Sequence, residues 1–201
     1  MSKISVIRRH PVRGTLAALA IAALATGAAV AVPAQAGPLV ERSAASRAGC
    51  PTGWGSLPEA STRGGASAVT NVRTGRHACY DRLVVDLAGK GGTGYRVRYV
   101  KVATADGSGA PIRTRGGAVL QIVVTAPAYD AAGRPTYRFT NQKELSTVAG
   151  YSTFRQVAWG GSFEGQTTLA LGVRARLPFR TFVLTGPGSN SRIVIDVAHH
   201  W

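Results

Sequence analysis

The stretch Cys79–Gly89, CYDRLVVDLAG, constrains the fold more than any other part of the chain. Its apolar residues Leu83, Val84, Val85 and Leu87 lie around Arg82 and Asp86. β-branched side chains, short length and a Gly-rich run immediately after it predict a strand. The chain ends on nearly the same words, SRIVIDVA at Ser191–Ala198, so that Arg82, Asp86 and Ala88 align with Arg192, Asp196 and Ala198. Strand side chains alternate, which puts Leu83, Val85 and Leu87 on a core face and Arg82, Val84, Asp86 and Ala88 on the other. Arg82 and Asp86 stand roughly 13 Å apart along one strand, too far to pair with each other. Antiparallel neighbours centred on Val84 and Val194 would set Arg82 against Asp196 and Asp86 against Arg192, as structural charge pairs. The competing reading is that the two segments share nothing beyond being strands of one type.

Further strand signals follow one another closely. Ala68–Arg73, Tyr95–Val102, Pro111–Thr114, Ala118–Ala126, Thr153–Trp159, Gln166–Val173 and Phe179–Thr185 are short and rich in β-branched and aromatic residues. Turn chemistry separates them at 91–94 (GGTG), 106–109 (DGSG), 160–165 (GGSFEG) and 186–190 (GPGSN). Asn141–Val148 is expected as one helical turn or a short helix capped by Asn141. No long helical period occurs, so the expected class is all-β, an antiparallel β-sandwich of two sheets with about 8–10 short strands.

The front of the chain has a different character. Lys3, Arg8, Arg9 and Arg13 precede an apolar run from Thr15 to Val32, and Ala34-Gln35-Ala36 follows as a cleavage signal. That layout predicts a secretory signal peptide at 1–36 and leaves no membrane-spanning segment after cleavage; an uncleaved anchor is the rival. Residues 37–49 read as a flexible leader and 50–201 as one domain. Cys50 and Cys79 are the only cysteines. Export to an oxidising compartment predicts a disulfide between them, stabilising by roughly 3–4 kcal/mol in the chain-entropy model. A metal site with His77 is the alternative, but structural zinc asks for four ligands. No metal and no cofactor are expected.

CYDRLVVDLAG, GYRVRYV at Gly94–Val100 and DGSG, then FEG at Phe163–Gly165, LGV at Leu171–Val173, LPFRTFVL at Leu177–Leu184 and RIVIDVAH at Arg192–His199, occur in that order. The ordered set resembles the AMIN-like domain of secreted actinobacterial proteins over most of Trp54–His199. That domain is similar to the AMIN module of periplasmic cell-wall amidases and secretin-type envelope proteins. The resemblance implies a small two-sheet β-sandwich and a place at the cell envelope, with peptidoglycan as the supposed ligand. No amidase domain accompanies it here.

Charge supplies the rest of the expectation. Without Lys3, Arg8, Arg9 and Arg13 the formal charge of +15 falls only to +11. Such an excess attracts anionic polymers, which in a bacterial envelope include peptidoglycan carboxylates and wall phosphates, and arginine grips either with paired hydrogen bonds. The expected binding residues are Tyr95, Arg96, Arg98, Tyr99 and Lys101, with Arg174 and Arg176. Scattered arginines that only solvate a surface are the competing account. Nucleic acid meets the same electrostatics, but export removes it as a partner. Asp81, Asp86, Asp196 and Glu164 are the acids available to an enzyme, and no spacing singles out a pair. No G-x-S-x-G or H-E-x-x-H motif is present. The expected function is a secreted, non-catalytic module that binds or localises at the cell wall, with an envelope protein as a further partner. A protein-interaction or inhibitor module without carbohydrate contact, and a secreted hydrolase, are the alternatives.

Overall fold

The computed structural model describes residues 49–201 apart from 52, 63, 65–67 and 90–92. The expected signal peptide at 1–36, residues 37–48 of the expected leader at 37–49, and Gly91-Gly92 of the first turn lie outside the described residues. The chain divides into residues 1–38 and 39–201, and everything below belongs to the second unit.

Among the described residues eleven strands follow in order: β1 Glu59–Ser61, β2 Ala68–Arg76, β3 Tyr80–Ala88, β4 Tyr95–Val100, β5 Ala103–Thr104, β6 Pro111–Ile112, β7 Ala118–Val124, β8 Phe154–Phe163, β9 Gln166–Val173, β10 Phe179–Thr185 and β11 Ser191–Ala198. They form a five-stranded sheet, β1-β4-β7-β9-β8, a four-stranded sheet, β10-β11-β3-β2, and a two-stranded hairpin, β5-β6. Every pairing is antiparallel. No helix occurs among the described residues. The molecule is an all-β sandwich.

Alternation builds the core. Leu83, Val85 and Leu87 of β3 and Ile193, Ile195 and Val197 of β11 are fully buried, as are Leu120, Ile122 and Val124 of β7 and Leu169, Leu171 and Val173 of β9. Each such side chain contributes about 1.5–3 kcal/mol by leaving water. The centre of the four-stranded sheet has Val84 opposite Val194, Arg82 opposite Asp196 and Asp86 opposite Arg192.

Both sides of the sandwich are covered at least in part. On one, Gly55 bridges to Phe179 of β10 while β1 pairs with β4. The Cys50–Cys79 disulfide ties this segment to the start of β3. On the other, the long β7–β8 connection runs past the edges of β2 and β8. Val69 N–H donates to Pro127 O, Leu145 N–H to Val157 O and Trp159 N–H to Gln142 O. These bonds explain why 141–148 is not the short helix that its sequence suggests. Its backbone is spent on the edge of β8, and Asn141 makes a local turn by accepting Lys143 N–H at 2.9 Å. The Gly160–Phe163 stretch, expected as a turn, instead continues β8 through an irregular register, and Glu164-Gly165 alone makes the hairpin turn with both φ positive.

Candidate functional site

The seven residues expected to bind do not share one surface. Tyr95 and Tyr99 share one face of β4 with the buried Val97 and point between the sheets. The Tyr95 hydroxyl donates to Thr181 O at 3.2 Å. The Tyr99 hydroxyl donates to Leu177 O at 2.8 Å and accepts Leu177 N–H at 3.0 Å. Burial pushes the Tyr99 phenol above its ordinary pKa. Both tyrosines brace one sheet against the other. Arg176 donates to Ser56 and lies 5.3 Å over the Tyr99 ring, and Arg174 donates to His199 O at 2.6 Å. Only Arg96, Arg98 and Lys101 stand exposed with no acid or carbonyl partner among the described residues.

The repeated Arg…Asp strands make one of the two facing ion pairs. Arg82 grips Asp196 with two bonds, 2.6 and 2.9 Å, and Arg180 adds a third at 2.9 Å. Asp86 faces Arg192 in the ladder but is held at both oxygens by Arg73 of β2, at 2.7 and 3.0 Å. The fork-to-fork geometry of that bond is what Arg192 loses to. Arg180 also lies 4.4 Å from the Trp54 ring and 5.0 Å from Phe182, and Arg82 lies 5.2 Å from Tyr80. This face is a pinned ladder of arginines and rings.

The remaining acids are separate from one another. Asp81 is fully buried at the inner end of β3, where one oxygen accepts Thr153 and Phe154 N–H at 2.6 and 3.0 Å and the other lies 3.2 Å from His199 Nε2. Glu164 occupies a left-handed turn position with φ 47°. His77 stacks on Tyr80 with ring centroids 4.5 Å apart.

The uncommitted positive charge gathers on the outer side of the five-stranded sheet. Arg98 stands in register with Gln121, and the β5-β6 hairpin lies over that row, held by Gln121 Nε2 on Thr104 O. Ala103, Val119, Ala158 and Ala170 form a small second core beneath it. Gly160 allows the close approach, since a Cβ there would meet Ile112 Cδ1 and Thr168 Cγ2 at 2.7 Å. Between the hairpin and residues 140–143 runs a groove of about 900 Å³, walled by Arg113 on one side and by Asn141, Gln142 and Lys143 on the other, with Trp159 beside its floor. The buried Gln156 amide fixes both walls, accepting Arg115 N–H at 2.7 Å and donating to Lys143 O at 2.8 Å. At one end one carboxylate oxygen of Asp106 is shut from solvent and has no hydrogen-bond partner.

Trp159 also walls a second groove of about 650 Å³, with Tyr129, Tyr137, Arg138 and Phe139. The indole lies 5.0 Å from Phe139 and 5.9 Å from Tyr137, ring centre to ring centre. The paired grooves offer guanidinium and ammonium groups for carboxylate or phosphate and flat rings for the apolar face of a sugar. In the sequence Arg113 and Lys143 belong to no motif, and Trp159 is only the end of an expected strand. No spacing could join three residues brought in by three different elements.

No metal cluster of three or more His, Cys, Asp or Glu exists among the described residues. No helix among them is long and apolar enough to cross a membrane. No curated protein and no solved structure matches the chain. Residues 67–199 match the model of the AMIN-like domain, which covers more than half of the chain and ten of the eleven strands found among the described residues, and the chain therefore belongs to the AMIN-like domain family.

Proposed function

We propose that this chain is a non-catalytic envelope module that holds an anionic cell-wall glycan in the groove between the β5-β6 hairpin and residues 140–143. Membership of the AMIN-like family supports an envelope-related role, and the disulfide fits an extracellular setting. The observation that carries the reading is the distribution of uncommitted cations. Arg96, Arg98, Lys101, Arg113 and Lys143 have no acid or carbonyl partner among the described residues and lie on one side of one sheet. Elsewhere the described arginines, apart from Arg138 and Arg192, are committed to acids or carbonyls. A non-catalytic role fits the acids, since Asp81, Asp86 and Asp196 are each occupied and share no cleft.

Sedimentation with purified peptidoglycan, with and without its teichoic polymers, tests this. Retention is expected at low salt and is expected to fall as the screening length shrinks toward about 8 Å at physiological ionic strength. Arg113→Ala with Lys143→Ala should weaken retention about tenfold or more through two lost charge-assisted contacts. Retention that ignores both salt and the double variant rejects the groove. The two polymer preparations separate carboxylate from phosphate as the anion.

A further inference from the structure

The four-stranded sheet ends at β10, and the backbone groups along that edge can be followed residue by residue. Alternate residues of a strand turn their N–H and C=O to the same side. Phe179 N–H points away from β11 and donates to Gly55 O at 2.8 Å. Two residues on, Thr181 donates to Glu59 Oε2 and accepts the Tyr95 hydroxyl. The same alternation turns Val183 and Thr185 outward, and no partner meets their N–H or C=O groups among the described residues. The Gly55–Ser61 segment therefore covers the first half of the β10 edge and leaves the second half open.

That open half lacks the usual protection. Edge strands are ordinarily blunted by charge, proline or a bulge, whereas this one reads Phe182-Val183-Leu184-Thr185 with Leu184 38% exposed. Beside it in the ladder, Leu184 is opposite Arg192. Arg192 has lost its facing acid to Arg73, and its Nε is shut from solvent with no acceptor. A buried donor without a partner is a standing cost that an incoming oxyanion removes.

We propose that the open edge of β10 docks an extended acidic polypeptide segment, which adds as a further strand on Val183 and Thr185 and presents a carboxylate to Arg192. An added strand lies roughly 4.8 Å beyond β10 and so about 10 Å from β11, a span that an arginine reaching over Leu184 and a glutamate reaching back close between them. Strand addition gives affinity through main-chain bonds and selectivity through alternate side chains. A second copy of this chain fits poorly, because antiparallel pairing of two β10 edges would gather Arg180 and Arg192 of both copies in one place. The docking edge belongs to the four-stranded sheet and the cationic groove to the other, so the two sites are independent.

The test is a titration of the full chain with a synthetic peptide of alternating Glu and Val, about ten residues long, read by affinity and by amide exchange. The peptide should bind, slow exchange at Val183 and Thr185 at least tenfold, and lose at least tenfold in affinity with Arg192→Ala. A peptide N-methylated on the residues that face β10 should lose as much, with the protein itself unaltered. Arg113→Ala with Lys143→Ala should leave peptide affinity unchanged while it weakens wall retention, so either site can fail without the other. Equal binding of a counterpart peptide that replaces every Glu by Lys, unchanged exchange at Val183 and Thr185, or loss of binding in the Arg113/Lys143 double variant each overturns the proposal. So does protection of those two amides that appears with rising protein concentration alone, which would make a second copy the occupant.

Discussion

A carboxylate shut away from water needs donors to replace the water it has lost, and Asp196 is met by three N–H groups from two arginines. Asp196 is fully buried, while Arg82 and Arg180 keep 24% and 39% of their side chains exposed. Asp86 carries the same residue name in the same repeat, yet its side chain is 24% exposed and its partner Arg73 is 48% exposed. Burial therefore decides their weights. Asp196→Ala should lower unfolding stability by about 3 kcal/mol, because the two arginines and the rings beside them lose the charge that pins them. Asp86→Ala should cost no more than about 1 kcal/mol, the range of a solvent-exposed pair. Urea denaturation of both variants checks this, and equal losses would refute the ranking. Arg192, with no acid to lose, is the third member of the comparison and should change stability least.

At the scale of elements, what was legible followed from alternation and from charge. The Arg-apolar-Val-apolar-Asp wording of β3 and β11 carried its own register, because a one-residue slip would bury the charges and expose Leu83, Val85 and Leu87. It did not carry Arg73, which sits on a strand without the repeat and takes Asp86 by better geometry. β1 was not legible: Glu59-Ala60-Ser61 shows no pattern and is a strand only because the edge of β4 meets it. Residues 141–148 misled for the same reason in reverse, since a local cap signal was outweighed by the edge of β8. Glu59 shows what such tertiary placement costs. Its carboxylate accepts Thr181 N–H at the β10 edge, and burial pushes its pKa above the ordinary glutamate value. A raised folded-state value means that the fold favours the protonated form, so this group's contribution to stability is fullest below the unfolded value and is lost as pH rises through the folded one. Glu59→Gln keeps an oxygen for Thr181 without the charge. Its urea midpoint should exceed that of the unaltered chain at pH 7, and the gap should close at about pH 3, where the carboxyl is protonated in both states. A gap that widens on acidification would reverse the sign.

For the whole molecule, the match to the AMIN-like domain begins at residue 67, but the sandwich does not. Residues 50–61 supply the disulfide to Cys79, the Gly55 bridge to β10, strand β1 on β4, the Glu59 bond to Thr181 and the Trp54 ring over Arg180. These contacts cover one side of the sandwich as far as Thr181 of β10, whereas the opposite side is covered from within the matched region by the β7–β8 connection. A chain restricted to 67–199 should therefore keep its core and lose its seal. The disulfide alone spans 29 residues of separation, and its loss should cost roughly 3–4 kcal/mol in the chain-entropy model. The further loss of β1 bares the edges of β4 and β10 together, and bare apolar edges pair with whatever strand is near. Two measurements separate these effects. Cys50→Ser with Cys79→Ser should lower the unfolding midpoint while the protein stays monomeric in sedimentation. The 67–199 chain should lower it further and also self-associate, with new amide protection along β4 and at Phe179 and Thr181 of β10. If the shortened chain unfolds at the same midpoint as the disulfide-free variant and remains monomeric, the Gly55–Ser61 segment is an ornament of the sandwich and its closing role is wrong.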